Sequence, residues 1–335
     1  MSSCPGVKEL GLPNTLYISM EVMVALAAVL GNILVVLVVW LNRALRNTTF
    51  CFMVSLALAD ISVGGLVIPL AITISLDICT HFYTCLFLCC LVVVITQSSI
   101  LSLLAIAVDR YLRVKIPIRY STIVTQKRAY VAVVLCWMVS FLTGLVPMMG
   151  WNNRHDLDKL SHNDSMVCNF TDVMTMEYMV YFNFFGCVVT PLLIMIALYG
   201  ELFRVICRQL NRRAEATSDD ERYYRKELKL AKSLALVVLL FAVCWLPLHI
   251  MNCVVLFYGE GFIPQPAINV GIFMSHVNSA LNPLVYAFRI KSFRVTLLEI
   301  TRRCTSCKAR ERSLYPCSMP ALTEKVPHDP TESAK

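Results

Sequence analysis

The sequence predicts an all-α membrane protein, built as a seven-transmembrane helix bundle followed by a short amphipathic eighth helix. Of the 335 residues, 57% are hydrophobic and 16% are charged, whereas soluble domains average about 45–50% and about 25%. The hydrophobic residues also fall into seven long blocks, and a helix needs roughly 20 residues to cross a bilayer. Because hydrocarbon offers the backbone no hydrogen-bond partner, each block should be helical.

The seven predicted spans are separated by polar segments, and several of them contain proline. A proline inside a membrane helix should kink it, while neighbouring groups bind the carbonyl that the proline frees. The predicted spans are 16–41, 48–72, 82–112, 129–149, 177–203, 231–257 and 266–288. The prolines within them are Pro69, Pro147, Pro191, Pro247 and Pro283.

These blocks divide the chain into four segments. Residues 1–15 form an N-terminus without the pattern of a cleavable signal peptide, and 16–290 form the seven-helix domain. Residues 291–303 should form an amphipathic helix on the inner surface, and 304–335 a disordered tail. All but three of the 30 Lys and Arg residues fall on one side of the predicted membrane. The N-terminus is therefore expected outside and the C-terminus in the cytoplasm.

The chain lacks the patterns that are typical of enzymes. The sequence has no metal-binding cluster of His and Cys, no nucleophile motif and no phosphate-binding loop. Membrane lipid is an expected partner and nucleic acid is not. The lack of an internal repeat disfavours a transporter made of duplicated halves. A channel or transporter is nevertheless the alternative from another functional class.

Polar residues within the spans are costly in a membrane, so they indicate function. Asp60 lies in the second span, and Ser99 in the third could converge on it. Asn278, Ser279 and Asn282 in the seventh span share one helical face that could do the same. A carboxylate among hydroxyls and amides suits a small hard cation or a network of water. The alternative is that Asp60 is structural, or simply protonated.

Short motifs follow one another along the chain. Asp109-Arg110-Tyr111 ends the third span, Cys244-Trp245-Leu246-Pro247 lies in the sixth, and Asn282-Pro283-Leu284-Val285-Tyr286 closes the seventh. With Asn32, Asp60, Trp137, Pro191 and Tyr199 they resemble the rhodopsin-like G-protein-coupled receptors over about residues 16–303. The resemblance implies a multi-pass plasma-membrane receptor that signals through a heterotrimeric G protein. It also implies a sodium ion at Asp60, no other cofactor, and arrestin and receptor kinases as further partners.

The same resemblance indicates a switch at the inner mouth of the bundle. Arg110 can pair with Asp109 and reach Glu227 at the foot of the sixth span, and breaking this contact would free the sixth helix. The alternative is an ordinary interfacial arginine. Tyr199 and Tyr286 could bond through water in the open form. The predicted switch residues are Asp109, Arg110, Tyr111, Glu227, Tyr199 and Tyr286.

Groups that several receptor classes require are missing from the sequence. Residues 85–95 contain no Asp for an amine ligand, and the seventh span contains no Lys for a retinal Schiff base. The N-terminus is too short for a hormone-binding domain. These absences favour a small neutral ligand bound between the helices. A receptor for a lipid or for another small neutral metabolite stays open at this point.

Four short sequence segments are more specific than these general receptor motifs. Residues 105–115, 176–182, 229–233 and 275–276 resemble the adenosine receptors, closest to the first and third subtypes, which act through inhibitory G proteins to lower cyclic AMP. Thr171, where most subtypes carry Glu, favours the third.

The resemblance also implies a nucleoside site. Trp245, His249 and Asn252 share one face of the sixth helix, and an Asn amide can pair with the edge of adenine. Phe170 would stack on adenine. The predicted ligand-binding residues are Phe170, Asn252, His276, Ser275, Thr96, His249, Trp245, Leu248, Met179, Ile272 and Glu21, with Asn183 and Met251 in the wall. The alternative for each is packing or hydrogen bonding between helices.

Three covalent features are expected. Cys85 and Cys168 should form a disulfide on the oxidising side, where Cys4 and Cys79 are expected to be free cysteines. Asn163 lies in an outer-loop sequon and should carry a glycan, whereas a glycan on Asn169 would crowd ligand entry. The candidates for palmitoylation are Cys304 and Cys307.

Overall fold

The computed structural model describes residues 12–42, 47–76, 79–154, 165–212, 218–291, 293–300 and 302. Seven long helices make up most of this part of the chain. Helix 1 is Leu12–Leu41, helix 2 is Thr48–Ser75, helix 3 is Phe82–Lys115, helix 4 is Gln126–Gly144, helix 5 is Tyr178–Asn211, helix 6 is Ser218–Tyr258 and helix 7 is Gln265–Arg289. Each predicted span except the fourth falls on one of these helices.

Helices 1 to 6 are long and apolar enough to cross a membrane, judged by length and composition over the described residues. Helix 7 does not meet that criterion because it carries many Asn, Ser and other polar residues. It packs against helices 1 and 6, and its polar residues are buried there, including Ser275, His276 and Asn282. The outer face of helix 4 is the opposite case, because large apolar side chains such as Val134 and Leu135 are exposed on it.

The fourth predicted span, 129–149, differs from the helix found there. Helix 4 begins at Gln126, where the Thr125 side chain caps the backbone N–H of Arg128. It ends at Gly144, and Val146–Met149 form a 3₁₀ turn that contains Pro147. Proline cannot continue an α-helix without losing a hydrogen bond, which explains why the helix stops early.

Two prolines follow π-helical turns. Val63–Val67 of helix 2 precede Pro69, and Tyr178–Val189 of helix 5 precede Pro191. A π turn has an extra residue, so it rotates the following residues about the helix axis. The hydroxyl of Thr190 donates to the carbonyl oxygen of Phe185 at 3.1 Å, in line with the expectation that neighbouring groups satisfy the backbone near a proline.

The remaining elements are short. Strands β1, Cys79–His81, and β2, Ser165–Val167, pair antiparallel with Cys79 opposite Val167. Pro117–Ile123 and Phe170–Val173 are short helices, and Glu260–Phe262 form a 3₁₀ turn. Residues 293–300 are also helical, within the range predicted for the eighth helix. The predictions for Asn163, Cys304, Cys307, residues 1–11 and the tail from 303 lie outside the described residues.

Candidate ligand-binding site and switch

A cavity of about 450 Å³ lies between helices 1, 2, 3, 5, 6 and 7 at the end of the bundle that carries β1 and β2. We call this the cavity end. The volume falls within the range of small-molecule sites. Ten of the residues predicted to bind ligand line it, namely Thr96, Phe170, Met179, Trp245, Leu248, His249, Asn252, Ile272, Ser275 and His276, together with Asn183 from the predicted wall.

Helix 6 brings four of these side chains to the cavity wall, namely Trp245, Leu248, His249 and Asn252. The His249 ring stacks on Phe184 with centroids 4.8 Å apart, and it lies 6.0 Å from the Trp245 ring. His249 is only 3% exposed. Neither ring nitrogen of His249, nor the Trp245 indole nitrogen, has a hydrogen-bond partner in the part of the chain that the structure describes. Leaving a buried polar group unpaired costs about 1–3 kcal/mol, so these atoms are ready to bind a ligand or water.

Helix 7 and helix 3 supply polar groups to the opposite walls. His276 Nδ1 lies 2.8 Å from Glu21 Oε2 of helix 1. Glu21 is fully buried and does not line the cavity, but it contacts two residues that do, His276 and Tyr17. The hydroxyls of Ser275 and Thr96 donate to carbonyls of their own helices at 2.6 Å and 3.0 Å. Both oxygens can therefore still accept a hydrogen bond from a ligand.

A disulfide pins the loop over the cavity. Cys85 at the start of helix 3 is bonded to Cys168, with their Cα atoms 5.6 Å apart, which confirms the expected pair. Phe170, two residues later, begins a short helix and lines the cavity. Cys79 is also disulfide-bonded, so the expectation that it is a free cysteine was wrong. The strand pair and the disulfide together fix the loop relative to helix 3.

Part of the cavity wall was not predicted from the sequence. Helix 2 contributes an apolar wall beyond its π turn. The further lining residues include Val67, Leu70, Ala71, Ile74, Cys89, Val92, Val93, Tyr17 and Ile268. Met251, predicted in the wall, is not among the lining residues, and it packs against Gly271, where any Cβ would collide with its terminal methyl group.

A hydrogen bond between helices 3 and 5 was also missed. Gln97 Nε2 donates to Asn183 Oδ1 at 2.5 Å, and both residues are buried. The bond occupies the Asn183 amide oxygen, which leaves its amino group as a donor at the cavity wall. Neither helix pattern alone predicts this pairing.

Below the cavity, a buried polar network surrounds Asp60. Asn282 Nδ2 donates to Asp60 Oδ2 at 2.7 Å, and Ser279 also hydrogen-bonds the carboxylate. The unpartnered atoms here are all oxygens, since Asp60 Oδ1, Asn278 Oδ1 and Asn282 Oδ1 lack partners among the described residues. Such an oxygen-rich set fits a hard cation or water. Ser99 instead donates to the carbonyl of Ile95 at 3.2 Å.

The opposite end of the bundle, which we call the clamp end, contains an ion pair between helices 3 and 6. Arg110 Nη1 lies 3.1 Å from Glu227 Oε2, and Arg110 Nη2 lies 3.6 Å from Asp109 Oδ2. The side chains of Arg110 and Glu227 are 2% and 11% exposed. The contact anticipated from the sequence is therefore present, and it ties helix 6 to helix 3.

Asp109 is held by hydroxyl groups from two neighbouring elements. The hydroxyls of Thr48 and Tyr120 donate to Oδ1 at 2.9 Å and 2.6 Å, and Thr49 donates to Oδ2. Burial raises the pKa of Tyr120, and its hydrogen bond to Asp109 raises that pKa further. The tyrosine therefore stays a neutral donor, and the short helix Pro117–Ile123 is fastened to helix 3.

Two more predicted switch residues lie between the clamp and the Asp60 network. Tyr199 and Tyr286 are buried, and their hydroxyls have no hydrogen-bond partner within the described residues. The Tyr286 ring contacts Phe293 of the following helical segment, with ring centroids 6.3 Å apart. Both hydroxyls are therefore available for new hydrogen bonds if the helices move.

Comparison with known proteins places these features in a family. Residues 31–286 match the 7 transmembrane receptor (rhodopsin family). The chain is 50% identical to Adenosine receptor A3 of Ovis aries over 293 residues, covering 87% of this chain and 91% of that protein. It is 50% identical to Adenosine receptor A3 of Bos taurus over 301 residues (89% and 93%). The corresponding protein of Canis lupus familiaris is 49% identical over 300 residues (90% and 95%). The chain therefore belongs to the rhodopsin family of seven-transmembrane receptors, and within it to the adenosine receptors, which makes it a multi-pass membrane receptor and not an enzyme.

Proposed function

We propose that this receptor binds adenosine in the cavity and signals through a heterotrimeric G protein of the inhibitory class, which lowers cyclic AMP. The observation that carries the proposal is the composition of the cavity. Aromatic rings, side-chain amides that include Asn252, and hydroxyl and imidazole groups line one cavity of about 450 Å³. The identity of about 50% with three proteins named Adenosine receptor A3 supports the ligand and the third subtype.

Each part of a nucleoside has a chemical counterpart in the cavity. The Asn252 amide carries an acceptor and two donors, so it can engage the exocyclic amine and N7 of adenine together. Phe170 offers a flat apolar face for the purine. Ser275, His276 and Thr96 offer hydrogen-bonding groups to ribose hydroxyls, and Glu21 fixes the His276 ring, as a carboxylate commonly does for an imidazole.

The proposed orientation places the cavity end outside the cell and the clamp end in the cytoplasm. Two observations support it. The disulfide between Cys85 and Cys168 lies at the cavity end, and disulfides persist in oxidising compartments. Most Lys and Arg residues of the chain fall in segments on the other side, as the positive-inside rule requires for cytoplasmic segments.

Signalling would proceed by a shift between two packings of helix 6. Trp245 lies in the cavity wall, two residues before Pro247 of the same helix. An agonist that contacts Trp245 better in one packing shifts the equilibrium toward it by that difference in affinity. Opening of the Arg110–Glu227 contact would expose the clamp end to the G protein. We propose arrestin and receptor kinases as further partners of this end.

We further propose that a sodium ion bound at Asp60 favours the closed packing. The carboxylate oxygen, the Asn278 and Asn282 amide oxygens and the Ser279 hydroxyl would hold it. When bound, the ion supplies positive charge that offsets the buried carboxylate. The bound ion would therefore oppose any rearrangement that closes the space between the residues around Asp60 or moves their oxygen atoms away from the ion.

The test of the ligand assignment compares two asparagines that line the same cavity. Asn252→Ala should lower adenosine affinity roughly 5- to 150-fold, because leaving the polar edge of the purine without its hydrogen-bond partner costs about 1–3 kcal/mol and each 1.4 kcal/mol is tenfold in affinity. Asn269→Ala is the control, because Asn269 already accepts a hydrogen bond from Gln265 at 3.1 Å. Equal affinity in the wild type and Asn252→Ala would overturn the assignment.

The signalling class is tested in intact cells that report cyclic AMP. Adenosine should lower stimulated cyclic AMP in cells that express the receptor and leave untransfected cells unchanged. A rise in cyclic AMP would refute the inhibitory class. If adenosine neither competes with a labelled purine antagonist nor changes cyclic AMP, the alternative of another small neutral metabolite or a lipid takes its place.

A further inference from the structure

Three sulfur atoms meet at the start of helix 3, and the proposed function uses only two of them. The Sγ atoms of Cys85, Cys89 and Cys168 all lie within 4.8 Å of one another. Cys85 and Cys168 form the disulfide, whereas Cys89 is a free, buried cysteine. A free thiol therefore lies beside a disulfide bond.

The position of Cys89 follows from helix geometry. Residues four apart lie one above the other on the same helix face, so Cys85 and Cys89 point in the same direction. Cys89 is buried, and it borders the cavity. Cys90 is likewise a free, buried cysteine, but it is not part of the sulfur cluster, which makes it a natural control.

We propose that Cys89 is a second disulfide partner of Cys168, so that the bridge exchanges between Cys85–Cys168 and Cys89–Cys168. The Cys89 thiol gives up its proton, and its sulfur attacks the Cys168 sulfur. The Cys89–Cys168 bond forms as the Cys85–Cys168 bond breaks, and the released Cys85 sulfur takes up a proton. One disulfide and one thiol are present before and after, so the step needs no oxidant or reductant.

The exchange would reshape the ligand site, and this consequence rests on the proposed function. Four residues of helix correspond to about 6 Å along the axis, so after the exchange Cys168 is bonded to a residue that lies one helical turn nearer the cavity. Phe170 follows Cys168 by two residues and would be drawn along with it. The pairing of β1 with β2 resists this movement, so the two isomers should hold the loop in different places and bind nucleoside with different affinities.

The direct test removes Cys85, the cysteine that is bonded to Cys168 in the structure. Full-length Cys85→Ala in lipid nanodiscs is treated with N-ethylmaleimide, digested with pepsin at acid pH to prevent scrambling, and mapped by mass spectrometry. The expected result is a peptide pair linked through Cys89 and Cys168. Alkylation of both cysteines, or a link from Cys168 to Cys90, would overturn the proposal. In Cys85→Ala/Cys89→Ala, Cys168 should be alkylated.

A second measurement covers the case in which Cys85→Ala does not fold. The wild-type receptor is incubated in a glutathione redox buffer, which catalyses exchange, and mapped in the same way. A measurable fraction of Cys89–Cys168 should appear in the wild type and in Cys90→Ala, but not in Cys89→Ala. A wild type that shows only Cys85–Cys168 after this incubation contradicts the exchange.

Ligand binding is then measured separately. Cys85→Ala carrying the Cys89–Cys168 bridge should bind adenosine at least tenfold more weakly than the wild type, and equal affinity would overturn the effect on the site. The mapping requires no ligand. A mapped exchange in a wild type that binds no nucleoside would therefore overturn the proposed function and leave the exchange standing.

Discussion

Neutralising Glu227 should raise signalling in the absence of ligand. The Arg110–Glu227 pair joins helices 3 and 6 over 3.1 Å, and both side chains are largely buried. In Glu227→Gln the hydrogen bond can persist, but it loses the carboxylate charge. Hydrogen bonds to charged groups contribute about 1.5–3 kcal/mol and neutral ones about 0.5–1.5 kcal/mol. The closed packing should therefore lose about 1–2 kcal/mol, which raises the ratio of open to closed receptor roughly 5- to 30-fold.

The assay is basal nucleotide exchange on the purified inhibitory G protein, with receptor density matched between variants. Glu221→Gln is the control, since Glu221 lies on the same helix and pairs with Arg225 at 2.6 Å, but these side chains are 47% and 68% exposed. Exposed pairs contribute little, so basal exchange should not change. Basal exchange in Glu227→Gln equal to that of the wild type, or an equal rise in both variants, would refute the role of the clamp.

Three further predictions address packing, the cation and the ligand site. Gly144→Ala should lower the free energy of unfolding by about 1–3 kcal/mol, because an added Cβ would lie 2.9 Å from a backbone nitrogen of helix 3. Gly200→Ala is the control, since Gly200 has open space around it and the substitution should not destabilise the protein. Equal melting temperatures for the two variants would contradict this reasoning. Asp60→Asn should abolish any effect of sodium concentration on agonist affinity, and an undiminished sodium effect in radioligand binding would rule out the proposed site. Glu21→Gln should weaken adenosine binding several-fold by loosening His276, and it should have no further effect in a His276→Ala background; an additional loss there would show that Glu21 acts in another way.

The long helices were predictable because a membrane leaves the backbone few options. A block of about 20 apolar residues has to be helical, and only its ends depend on local chemistry. The end of helix 4 was not predicted, because apolar residues continue to position 149 whereas the α-helix already ends at Gly144, before Pro147. The pairing of Arg110 with Glu227 was accessible through the family resemblance, although the two residues are 117 positions apart.

The wall formed by helix 2 was not predictable from a regular helical period. Its π turn coincides with a close approach to helix 1, where a Cβ on Gly64 would lie 2.8 Å from the carbonyl oxygen of Ala25. Such contacts depend on tertiary packing, and the π turn changes the phase of the residues that follow. Leu70 and Ala71 reach the cavity as a result. The hydrogen bond between Gln97 and Asn183 was missed for a related reason, since it depends on how two helices face each other.

The polar character of helix 7 has a consequence for biosynthesis. Amides, hydroxyls and an imidazole are expensive in bare hydrocarbon, yet helix 7 buries them against helices 1, 2 and 6. Helix 7 leaves the ribosome after the other six long helices, so it should depend on them to cover its polar side chains during insertion. Substitutions that disturb helix 1, such as a larger residue at Gly31, which faces Pro283, should consequently leave immature receptor behind in the endoplasmic reticulum.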